Sequence, residues 1–150
     1  MIPGARRRAR AAALQALYEA DTSRHTPADA LRFIVARDRL PREAASFAED
    51  LIQNVRAKQD EIDTIIAGAA PAWPLEQLAP VDRNILRLAI AEMLGDNGTP
   101  VRVVINEAVE LAKRFGSDHS AKFVNGVLGS VERARAGGLS ISKQPSTGRG

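Results

Sequence analysis

Residues 100–131 read PVRVVINEAVELAKRFGSDHSAKFVNGVLGSV, and the spacing of their apolar positions decides the fold class. Val104, Ile105, Ala108, Leu111, Ala112 and Phe115 recur at intervals of three and four, the signature of one helical stripe. Thr99-Pro100 predicts a capped start for this helix, and Gly116 its end. From Ser117 to about Arg135 the same period returns in Phe123, Val124, Val127, Leu128 and Val131, predicting a final helix. Asp118-His119-Ser120 lies between the two. It holds the residue types of a hydrolase triad, but sequence neighbours at a helix start point in different directions, so it reads as capping chemistry.

Working outward, every other stretch follows the same period and none alternates as a strand would, so the chain is expected to be all-α. A first helix runs from about Ala5 to Asp21, with Leu14, Leu17 and Tyr18 on one stripe. Thr26-Pro27-Ala28-Asp29 supplies an N-cap, a proline at the first helical position and an acid three residues after the cap. That opens a second helix with Leu31, Ile34 and Val35. From Pro41, the positions Phe47, Leu51, Ile52, Val55, Ile62, Ile65 and Ile66 keep a helical period until Gly68, long enough to predict a break near Lys58. Pro71, Pro74 and Pro80 surround Trp73, which predicts a packed connection anchored by the indole. A helix from Val81 to about Leu94 follows, stopped by Gly95-Asp96-Asn97-Gly98.

The 150 residues are enough for one domain, and the absence of cysteine excludes a disulfide scaffold and thiolate chemistry. No apolar run reaches the ~18–20 residues needed to cross a bilayer, and no secretory-type segment follows the charged start; a soluble, cytoplasmic protein is expected. Beyond Gly137-Gly138 the composition turns to Ser, Gly, Pro and Gln, which cannot bury enough surface to offset ordering, so a helical domain over 1–136 with a disordered tail over 137–150 is expected.

Charge is the sharpest anomaly. The formal net charge is +3, yet residues 1–14 carry +4 and residues 136–150 carry +2, leaving the body at −3. Arg6, Arg7, Arg8 and Arg10 crowd the first turns of a helix with no acid among them. A helix N-terminus prefers anions, and each misplaced cation is disfavoured by a few tenths of a kcal/mol or more. Two readings compete: a cationic overhang that meets a nucleic-acid backbone, or a solvated basic end with no partner. Tyr18 and Phe123, the latter beside Lys122, are either platforms for RNA bases or core residues. Catalysis has little support: no HExxH, GxxxxGK or GxGxxG element occurs, and Glu107 and Glu110 share a helix face without an evident metal-binding or acid–base partner. Salt-bridged or solvated carboxylates are the default there. No cofactor is expected.

Three blocks carry a resemblance: ARRRARAAALQALYEAD at the N-terminus, LAPVDRNILRLAIAEML in the middle, and the stretch quoted first, above all INEAVELAK and KFVNGVL. Together they resemble the NusB family of transcription antitermination factors over most of residues 5–132. The resemblance implies a compact bundle of about seven helices in two packed subdomains, without catalysis. It implies binding of boxA-type single-stranded RNA in nascent ribosomal RNA transcripts, as a heterodimer with the ribosomal protein NusE, in a complex that joins other Nus factors on RNA polymerase. By position, it assigns RNA contacts to Arg6, Arg7, Arg8, Arg10, Tyr18, Lys122 and Phe123, and a NusE-facing surface to Glu76, Asp82 and Arg87. Some relatives self-associate, so a homodimer is a further state the resemblance admits. Within KFVNGVL, close helix packing is expected at Gly126 and a structural hydrogen bond from Asn125. His119 departs from the acid common there in relatives, and Ala11 from a polar residue. The reading from another class is a helical protein–protein adaptor whose arginines meet an acidic partner.

Overall fold

The computed structural model describes residues 4–137. Among them are seven α-helices and no strand: α1 Ala5–Thr22, α2 Pro27–Asp38, α3 Arg42–Ala57, α4 Gln59–Ala69, α5 Pro80–Leu94, α6 Val101–Phe115 and α7 Ser120–Ala136, with a short 3-10 turn at Leu75–Gln77. The all-α expectation holds, and so does the break in the long apolar run: Lys58 leaves helical geometry at φ −124°, separating α3 from α4. The tail expectation beyond Gly137 lies outside the described residues.

Two helices are central. In α1 the six residues Ala9 to Leu14 are all buried, and Ala9, Ala12, Ala13 and Ala16 let α2, α3 and α5 approach closely. In α5 nine consecutive residues, Asn84 to Glu92, are buried, and this helix packs against α1, α3, α4, α6 and α7. A helix enclosed on all sides cannot be amphipathic in the ordinary sense. Its polar residues must find partners inside the protein, since an unpaired buried charge is strongly unfavourable. Through α5 the α4–α7 group therefore packs on α1 and α3, and the two groups share one continuous hydrophobic core.

Local chemistry accounts for the start of α2. Thr26 Oγ1 accepts from the Asp29 backbone N–H at 3.1 Å, with Pro27 in the first turn, as the sequence suggests. Three local expectations are corrected. Thr99 does not cap α6: Pro100 occupies the N-cap position, and the Thr99 hydroxyl accepts from arginines instead. The last helix begins at Ser120, where the Ser120 hydroxyl accepts from the Ser117 N–H at 2.9 Å; a Cβ at Gly116 would lie 2.4 Å from that oxygen, so only glycine fits there. Trp73 is 55% exposed and anchors nothing; the connection is held by other means.

Candidate nucleic-acid interface

The N-terminus of α1 has neither a side-chain cap nor an acid in its first turn. Gly4 stands at the N-cap with φ +83°, a left-handed conformation that favours glycine. The free amides and the arginines thus project together from one end of the bundle. The four arginines nevertheless have different fates. Arg6 is exposed, donating to Thr99 Oγ1 at 3.3 Å while its guanidinium lies 4.6 Å from the centre of the Phe47 ring. Arg8 is exposed and donates to the Asp38 carbonyl at 3.1 Å. Arg7 is 64% exposed and forms a two-pronged pair with Glu107 on α6, Nε to Oε1 at 3.1 Å and Nη2 to Oε2 at 2.8 Å. Those hydrogen bonds, and next the carboxylate's charge, raise the Arg7 pKa above the ordinary arginine value.

Arg10 is the correction that matters most. Its side chain is only 6% exposed and that of its partner Glu92 only 2%, so it offers no phosphate contact at the surface. Nε donates to Glu92 Oε1 at 3.0 Å, Nη2 to the other carboxylate oxygen, and Nη2 also to Thr99 Oγ1 at 3.4 Å. Asn97 Nδ2 donates to Glu92 at 3.0 Å, and Asn97 Oδ1 receives the Thr99 N–H at 3.0 Å. Burial alone would raise the Glu92 pKa, but the hydrogen bond and charge of Arg10, helped by Asn97 and Thr99, outweigh it and bring it below the ordinary value. The signal was present in the sequence: at 100° per residue from Arg6, Arg10 falls at about 40°, between Leu17 and Leu14 on the stripe that enters the core.

The other sites assigned by resemblance are split. Tyr18 is 40% exposed on α1. It lies eleven residues from Arg7, roughly 16 Å along the helix axis, and returns to nearly the same face. At the start of α7, next to the α6 end that carries Lys113 and Arg114, Lys122 is exposed and Phe123 half-buried against the core. Asn125 and Gly126 are both exposed, Asn125 makes no hydrogen bond through its side chain, and a Cβ on Gly126 would meet nothing within 4 Å. Both structural roles expected for them are therefore withdrawn. They point outward because Val124, Val127 and Leu128 take the core-facing positions.

On the other end of the molecule Glu76 is exposed in the 3-10 turn, and Asp82 is half-buried in the first turn of α5 with Oδ1 enclosed and unpartnered. Arg87 is not a rim residue. It lies within the enclosed stretch of α5, with a two-pronged pair to Asp63 at 2.9 and 3.1 Å and Asp21 3.8 Å away. Sequence reading missed Arg83, which donates to Asp21 Oδ2 at 3.0 and 2.7 Å and to the carbonyls of Leu75 and Leu78, each at 3.2 Å. Desolvation raises the Asp21 pKa, but hydrogen bonds from Arg83 and Asn84 and the charges of Arg83 and Arg87 bring it below the ordinary value.

With this geometry in place, comparison with known proteins is decisive. A family model described as the NusB family matches residues 7–133. The chain belongs to the NusB family. Transcription antitermination protein NusB of Dehalococcoides mccartyi is 47% identical over 131 residues, covering 87% of this chain and 92% of that protein. The solved structure of T. maritima NusB is similar with a TM-score of 0.79 and 36% identity, covering 85% of this chain and 90% of that one. The antitermination factor NusB solved with NusE and double-stranded RNA is similar with a TM-score of 0.78 and 29% identity, covering 89% of this chain and 99% of that one. Among the described residues, no helix is long and apolar enough to cross a membrane, and no cluster of His, Asp and Glu forms a metal site.

Proposed function

We propose that this NusB-family chain is a cytoplasmic transcription antitermination factor that binds boxA-type single-stranded RNA of nascent ribosomal transcripts together with NusE. The NusE-bound complex joins other Nus factors on RNA polymerase. The observation that carries the RNA reading is the acid-free, uncapped first turn of α1, from which Arg6, Arg7 and Arg8 project. Phosphates satisfy both the free amides and the guanidinium forks. Arg6 and Arg8 hold phosphates, Tyr18 receives a base, and Lys122 with Phe123 extends the track; binding, not catalysis, is the activity. NusE meets the opposite end through Glu76, Asp82 and the exposed Trp73, and Arg87 acts from within by fixing α5 to α4.

Arg6 and Arg8, each neutralising one phosphate of a single strand, give a slope of log affinity against log salt of about −1.4, taking ~0.7 per contact. A filter-binding assay with boxA-type RNA across a salt series, with and without NusE, tests this. Replacing Arg6, Arg7 and Arg8 together by alanine is expected to flatten the slope while the helical circular dichroism persists. Absence of retained RNA in both conditions overturns the proposal in favour of a protein–protein adaptor.

A further inference from the structure

The geometry points to Glu107 as a resident competitor of RNA: a carboxylate of the protein itself that occupies the Arg7 fork until a phosphate displaces it, and so sets how tightly RNA is held. This rests on the reading of the α1 arginines as an RNA surface. Of the three exposed arginines, Arg6 and Arg8 meet neutral acceptors, a hydroxyl and a carbonyl, and keep their charge available. Arg7 meets a carboxylate with two parallel bonds, the same bidentate geometry a phosphate uses.

The two halves of the pair are unequal. Glu107 is 16% exposed, anchored in the side of α6, whereas Arg7 is 64% exposed. The guanidinium is therefore the half free to turn toward an incoming ligand. It lines a surface groove of about 490 Å³ with Asn106, Glu107, Glu110 and Lys113. Within that groove Lys113 is paired in turn with Glu110 at 3.3 Å. Each groove cation thus has its own glutamate, and the strip next to the charged Arg6 and Arg8 is electrically neutral. An RNA strand gains little from Arg7 unless Glu107 is displaced or neutralised.

The test is Glu107→Gln, which keeps the volume and one acceptor but removes the charge. Binding of boxA-type RNA in the presence of NusE is expected to tighten about two- to fivefold, the range an exposed ion pair is worth. The salt slope is expected to steepen by about 0.7, one further phosphate contact. Arg7→Ala is expected to weaken binding more in the Glu107→Gln background than in the wild type. Glu107→Asp, which keeps the charge, guards against a folding defect and is expected to leave the slope as in the wild type. An unchanged slope with lowered thermal stability makes Glu107 a purely structural tie and overturns the inference. Weaker RNA binding by Glu107→Gln also overturns it, because Glu107 then orients Arg7 for RNA. Wild-type protein that retains no RNA sinks the underlying reading, and this inference with it.

Discussion

Arg7 and Arg10 stand three residues apart on one helix and each grips a glutamate with two prongs, yet the two pairs belong to different kinds of structure. Arg7–Glu107 lies at the surface, where water competes for both groups and such a pair contributes about 1 kcal/mol or less. Arg10–Glu92 lies between α1 and α5 with both side chains almost fully enclosed, ringed by Asn97, Thr99 and the face of Phe47. There the desolvation of each ion offsets much of the attraction, but removing one partner strands the other. The difference teaches that an arginine count is not a count of ligand contacts: the helix angle decides which guanidiniums remain for a partner.

Breaking the buried side of that comparison has the largest expected effect. Arg10→Ala should lose about 3–5 kcal/mol of stability in denaturant unfolding, because Glu92 remains enclosed without its cation. Acid sharpens the same contrast. The folded-state pKa of Glu92 is lowered, so the pair's contribution is fully present above the ordinary carboxylate value of 4.5 and is lost as pH falls through the lower folded value. In Arg10→Ala the stranded carboxylate instead gains from protonation, so the gap between variant and wild type should narrow as pH falls; unfolding midpoints at a series of pH values check this. The surface side gives the smallest effect: Arg7→Ala should change stability by less than about 1 kcal/mol while altering the salt dependence of RNA binding.

Periodicity exposed the helices, the Lys58 break and the Thr26-Pro27 start, because each depends on residues close in sequence. What it could not show is what faces a helix from elsewhere in the chain. Thr99 looked like a cap until two arginines from α1 took its hydroxyl. Arg87 looked like an interface residue until Asp63 on α4 and Asp21 on α1 closed over it. Gly126 and Asn125 looked like packing devices because a resemblance marks positions, not directions. Trp73 erred the other way: its size suggested burial, but three prolines and a guanidinium hold that segment without it.

That guanidinium, Arg83, makes the proline-dense stretch a strut. From one planar group it fastens the carboxylate at the far end of α1 and the carbonyls of Leu75, which also receives the Leu78 N–H, and Leu78 in the turn. The indole of Trp73 and the carboxylate of Glu76 are therefore carried on a braced arm, already set at a fixed height above the bundle, and a protein docking there meets a surface that has given up most of its freedom in advance.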